Sequence, residues 1–149
     1  MSTPWRPNVT VAAVIDKGGR FLFVEELHKG RVVINQPAGH LEEGESLQQA
    51  VIREVYEETQ HRFEPQYLIG VYRLYLPEDR ITYLRFCFSG VSIGVDTRRP
   101  NDPEIQGVVW LSRAELADRP NLRSRFVLQC VDDYLAGQRA PLTLCDDTP

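Results

Sequence analysis

Between Gly39 and His61 the chain reads GHLEEGESLQQAVIREVYEETQH, and no other stretch limits the fold so strongly. Ser46 stands as an N-cap with Gln49 completing a weak capping box, and helical spacing then runs to about Thr59. At about 100° per residue, Leu47, Ala50 and Val51 fall on one face, and Glu54, Glu57 and Glu58 fall on the same face. A charge run on a helix ordinarily makes a solvated surface. Here the acids continue the apolar stripe. Like charges three and four residues apart cost a few tenths of a kcal/mol per pair, and acids in the last turns oppose the helix dipole. A hard divalent cation compensates directly, because carboxylate and carbonyl oxygens are its natural ligands. Arg53, beside the cluster, is placed to pair with Glu45 or to hold a ligand carboxylate still.

The flanking segments supply strands. Asn8 to Ile15 is rich in small and β-branched residues, and the turn Lys17-Gly18-Gly19-Arg20 joins it to Phe21–Glu25 as a hairpin. Arg31–Asn35 is a third strand, ended by Pro37, and Pro37-Ala38-Gly39 opens an irregular acidic loop. Gln66 to Leu76 and Ile81 to Val91 alternate about the turn Pro77-Glu78-Asp79-Arg80. After a polar segment, Asp96 to Pro103, come a strand at Gly107–Leu111 and a short helix capped by Ser112 and Glu115. Leu122, Phe126, Val127, Cys130, Val131, Tyr134 and Leu135 keep the spacing of one apolar helix face, and the tail beyond about 138 reads as loose. Strands interrupted by a central helix and closed by another point to an α/β layered fold with a mixed sheet.

A length of 149 residues suits a single domain, and a net charge of -4 argues against a coat of nucleic acid polymer. No apolar run reaches the roughly 20 residues that span a bilayer, and the first residues lack the layout of a signal peptide, so a cytoplasmic location without membrane attachment is expected. Cys87, Cys130 and Cys145 form no metal-binding pattern, and the first two read as small buried hydrophobes.

The order Gly39, Glu45, Arg53-Glu54-Val55, Glu57-Glu58 resembles the Nudix box, GX5EX7REUXEEXGU, at every charged position. NQPAGHLE (35–42), LRF (84–86), NLRS (121–124) and GQRAPL around Gln138 are similar to the NudJ-type phosphatase branch of that family. The resemblance implies one Nudix hydrolase domain over residues 1–149, with its box at 39–61 and an α/β/α sandwich. It also implies Mg²⁺, with Mn²⁺ as a substitute, on Glu54, Glu57, Glu58 and the Gly39 carbonyl. The activity implied is hydrolysis of nucleoside tri- and diphosphates and small pyrophosphates, such as thiamine pyrophosphate or its hydroxymethylpyrimidine pyrophosphate precursor, with release of phosphate. The alternatives are an ADP-ribose or dinucleoside polyphosphate pyrophosphatase and, in another class, a Nudix domain that binds nucleotides without cleaving them. The partner is a small molecule, and the chain is expected as a monomer or homodimer.

The family's catalytic base varies between a box glutamate and one on a later loop, which here points to Glu104, with Glu57 or Glu58 as replacements. Tyr83 and Arg85 share one face of their strand, from which Arg85 can fork onto a phosphate. Arg123 in NLRS can contribute similarly. His40 is assigned to loop packing rather than ligation. The box departs from its pattern at Gln60 and His61, where Gly and an apolar residue are usual. Gln60 is expected either to cost roughly 1 kcal/mol in a left-handed exit or to let the helix run another turn, and His61 to cap the helix end as a cation.

Overall fold

The computed structural model describes residues 2–97 and 102–147. Residues 98–101 of the polar segment, with Asn101 among them, lie outside the described residues, as do Met1 and the last two. In chain order the elements are β1 (Asn8–Lys17), β2 (Arg20–His28), β3 (Arg31–Asn35), β4 (Ala38–His40), α1 (Leu47–Thr59), β5 (His61–Leu76) and β6 (Ile81–Val95). They continue as β7 (Ile105–Ser112), α2 (Arg113–Ala117), α3 (Arg125–Leu135), β8 (Ala140–Pro141) and a 3-10 turn at Leu142–Leu144.

The glycines of the first hairpin sit at φ 62° and 84°, as a tight two-residue turn requires. Only Asp16 and Lys17 pair with β2, across from Phe21 and Arg20, after which the two strands part. β1 enters a mixed sheet, antiparallel to β4 and parallel to β6, which pairs antiparallel with β5. β2 lies between β3 and β7 in an antiparallel trio. Residues 11–15 of β1 are buried on both faces, which explains their unbroken apolar sequence. Val11, Ala13 and Ile15 meet Ala50, Val51 and Val55 of α1, while Ala12 and Val14 belong to the core beneath Phe126, Val127, Cys130 and Val131 of α3. The result is an α/β/α sandwich around a mixed sheet, with Cys87 and Cys130 fully buried as expected.

Several expectations change. The acidic loop contains a short strand, β4, because the Ala38–His40 backbone finds partners on β1. β5 begins at His61 rather than at Gln66, through a stretch whose pairing shifts register three times, and β6 runs on to Val95. Leu122 precedes α3 and bridges to Ile34, and Leu135 is 55% exposed, so neither extends the buried face of that helix. The tail is not loose where it is described. β8 pairs with β5, Leu142 and Cys145 pack on the α1 side, and Asp147 Oδ1 accepts from the Leu47 N–H at 3.4 Å. Nor does α1 gain a turn: Gln60 takes the left-handed conformation (φ 64°) and its N–H closes on the Tyr56 carbonyl.

His61 therefore starts a strand instead of capping a helix. Its Nδ1 lies 2.7 Å from Ser92 Oγ and its ring meets Trp110 edge-on. Burial, with Lys17 adding, lowers its pKa and favours the neutral ring.

Candidate active site

Helix α1 presents its acids through one arginine. Arg53 donates from Nε and Nη2 to the two oxygens of Glu45, at 2.7 and 2.8 Å. Its Nη1 donates to Glu54 at 2.7 Å and Glu57 at 3.2 Å, and Nη2 also reaches the His40 carbonyl at 3.0 Å. The hydrogen bond from Arg53 holds the Glu45 carboxyl below its usual range. Arg53 thus ties the acidic loop, β4 and three box glutamates into one rigid unit.

The three acids of the stripe are not equivalent. The buried arc of α1 includes Ala50, Val51, Val55, Glu58 and Thr59, so its centre is rotated toward Glu58 and away from Glu57. Glu58 is 6% exposed, and its Oε1 accepts from the Ala38 N–H at 2.9 Å. Burial pushes its pKa up to about 9 against that hydrogen bond, with Glu26, Glu54 and Asp102 adding to the rise. Burial raises Glu54 as well, against the pull of Arg53. Glu57 stays at the rim with its side chain 40% exposed, and it does not line the cleft below.

Gly39 explains how Glu54 fits. A Cβ at that position would overlap the Glu54 carboxylate, so only glycine lets the acid rest against the β4 backbone. Hard oxygen donors, a backbone kept free of side chain, and one buried and one partly buried acid, both with pKa raised by desolvation, fit a divalent cation. Among the described residues no three acidic, histidine or cysteine side chains converge into a ready-made metal cage. Glu54 and Glu57 lean to Arg53 and Glu58 to Ala38. Mg²⁺ suits so open a donor set, because it binds through one or two carboxylates and fills its remaining positions with water and phosphate oxygens.

Ala38, Gly39, Glu54 and Glu58 form part of the lining of a cleft of about 520 Å³. Gly39, His40, Glu54, Glu58, Tyr83, Arg85, Glu104 and Arg123 all line it. The His40 ring lies 6.4 Å from that of Tyr83, consistent with a packing role. Arg85 is 7% exposed and sits on the α3 face of β6, opposite Phe86 and Phe88, which belong to the α1 side. Arg123 lies 3.9 Å from Glu26. The Glu104 carbonyl accepts from the Leu27 N–H at 2.9 Å, and its own N–H donates to Asp102 at 2.9 Å, fixing the loop at the cleft rim.

Sequence reasoning missed Glu26, Asn35, Gln36 and Asp102. Glu26 lines the cleft from β2, and burial raises its pKa. Only the position of a second acid after the apolar run FLFVE could have marked it. Asn35 and Gln36 stand in the NQPAGHLE segment, whose Asn and Gln carried no chemical expectation of their own.

A mixed sheet between α1 and α3, with helix acids beside a bare glycine backbone and a buried arginine in the same cleft, fits a hydrolase of phosphoanhydrides. The chain belongs to the Nudix family, whose NUDIX domain model matches residues 4–129. Phosphatase NudJ of Escherichia coli K12 is 39% identical over 143 residues, which cover 96% of this chain and 93% of that protein. A NUDIX hydrolase from Nitrosomonas europaea is 46% identical and superposes with a TM-score of 0.87, covering 93% of this chain and 95% of its own. The NUDIX domain of Shewanella oneidensis NrtR, solved with ADP ribose, has a TM-score of 0.71 at 18% identity over 88% of this chain and 90% of its own, and shares the fold alone.

Proposed function

We propose that this protein is a Mg²⁺-dependent phosphatase of nucleoside tri- and diphosphates and of small pyrophosphates, thiamine pyrophosphate or its hydroxymethylpyrimidine precursor among them, working in the cytoplasm. The observation that carries the reading is the meeting of Gly39, Glu54 and Glu58 with Arg85 in one cleft. Likeness to phosphatase NudJ over nearly the whole chain supports orthophosphate as the product released.

Mg²⁺, or Mn²⁺ in its place, would be held by Glu54, Glu58 and the Gly39 carbonyl, with Glu57 joining on release from Arg53. When bound, the cation neutralises phosphate charge and lowers the pKa of a coordinated water toward neutrality. Glu104, at the rim of the cleft, takes the proton from the attacking water. Arg85 and Arg123 hold phosphate oxygens, and Tyr83 gives the organic part of the substrate a flat surface. Arg53 fixes Glu54 without touching substrate, which keeps a carboxylate in place that burial would otherwise drive toward its neutral form.

Phosphate release from GTP, GDP and thiamine pyrophosphate, with and without Mg²⁺, tests the reading. We expect turnover only with the metal and a loss on the order of 100-fold in Glu58→Gln. A fully active Glu58→Gln protein would sink the metal assignment. Release of a nucleoside monophosphate from ADP-ribose or a dinucleoside polyphosphate, in place of orthophosphate, would transfer the chain to the pyrophosphatases. Binding without turnover would make it a sensor.

A further inference from the structure

The floor of the cleft holds an arginine whose surroundings are unusual for a buried cation. Arg85 Nη1 donates to Gln36 Oε1 at 2.9 Å and Nη2 to Asn35 Oδ1 at 3.0 Å. Nη1 also leans to Cys130 Sγ at 3.9 Å, and the guanidinium lies 5.9 Å from the Phe126 ring. Among the described residues no carboxylate forms an ion pair with Arg85. Glu26, the acid of this network, lies 3.9 Å from Arg123 and acts on Arg85 only at longer range, through a charge attraction weaker than the one to Arg123.

Neither amide is free to turn. Gln36 is 1% exposed and donates from Nε2 to the Val127 carbonyl of α3 at 2.6 Å, which forces its oxygen toward Arg85. Asn35 donates from Nδ2 to Glu26 at 3.2 Å, which does the same for its Oδ1. A carboxylate in either place would satisfy the guanidinium and cancel its charge. Two neutral oxygens aim it and leave the charge intact, with further N–H donors available to a ligand in the cleft. The strands bring this cation to the metal-binding wall: Thr10 of β1 is in register with His40 on one side and with Arg85 on the other. That row puts Arg85 about 10 Å from His40 in the backbone, one strand removed.

We propose that Asn35 and Gln36 are positioning residues that present Arg85, uncancelled, as the receptor for a phosphate of the substrate; this rests on the phosphoanhydride reading above. Asn35 and Gln36 need not touch the substrate, and they act by fixing the plane and the net charge of the guanidinium. A buried cation of this kind gains most from a ligand with two adjacent anionic oxygens, which a terminal phosphate provides.

The test uses Gln36→Glu, nearly isosteric but anionic, and Arg85→Lys, which keeps the charge but lacks the fork. Binding of a methylene-bridged nucleoside diphosphate with Mg²⁺ is measured by calorimetry, and KM and kcat are measured for the parent diphosphate. Both variants are expected to raise Kd and KM roughly tenfold or more, with kcat changed by no more than about twofold. A purely structural role would lower the melting temperature and leave Kd of the folded protein unchanged, and that result overturns the proposal. If Gln36→Glu does not fold, unchanged Kd in Arg85→Lys overturns it equally. A wild type that binds and turns over the diphosphate while the variants match it refutes the positioning role alone. A wild type that neither binds nor hydrolyses it refutes the functional reading with it.

Discussion

Replacing Glu58 by Gln should stabilise the metal-free protein while it disables the enzyme. The carboxyl is buried, and its pKa rises from 4.5 to about 9 in the fold. Below pH 4.5 both the folded and the unfolded chain carry it neutral, so wild type and variant should then be equally stable. As pH climbs the unfolded chain ionises and the fold does not, so wild type loses stability until about pH 9. At pH 7 the difference reaches about 3 kcal/mol, at about 1.4 kcal/mol per pH unit. The Gln oxygen can still accept from the Ala38 N–H, so the hydrogen bond that wild type makes there is kept. For a chain of this size the gain corresponds to a melting temperature higher by roughly 6–12 °C. Thermal unfolding in chelator at pH 5, 7 and 8.5 measures it, and Mg²⁺ added to each sample should raise the wild type selectively. A difference that does not grow with pH, or a variant less stable than wild type at pH 7, refutes the account of a carboxyl held at a cost for a cation.

Gly39→Ala forces the Glu54 carboxylate off the β4 backbone, and kcat/KM for phosphate release should fall on the order of 100-fold with the fold retained by circular dichroism. Gln60→Gly relieves a left-handed residue at the end of α1 and should add about 1 kcal/mol in a urea titration, with activity unchanged. His61 is held neutral by burial, with its pKa below 6.5, so its contribution is present above pH 6.5 and lost as pH falls through the lowered value. Wild type should therefore lose stability against His61→Gln between pH 6.5 and 5, and parallel stability curves would contradict that burial.

The local signals were the legible ones. The capping box at Ser46, the glycine turn after Lys17 and the turn between β5 and β6 each depend on neighbours in sequence, and each was found where expected, although both strands run further than their alternation marked. The misplaced acids announced the site because they broke the pattern of their own helix. What escaped depended on distant partners. β4 is strand only because β1 lies beside it, and the tail is ordered because β5 offers an edge to Ala140. Glu57 looked equivalent to Glu58 on a helical wheel, yet the sheet under α1 covers one and not the other. The neutral partners of Arg85 come from residues 49 and 50 positions away, a distance over which periodicity carries no information.

The parallel pairing of β1 with β6 has a consequence for synthesis. Asn8 to Ile15 of β1 align with Tyr83 to Gly90 of β6, so an early strand waits for a partner made about 75 residues later. At ribosomal speeds of about 5–20 residues per second that delay lasts roughly 4–15 s. Throughout it, a strand apolar on both faces has neither its central neighbour nor the covering helix α3. The nascent chain should accordingly present Val11 to Ile15 as a holding site for chaperones, and slowing translation ahead of β6 should lengthen the aggregation-prone interval.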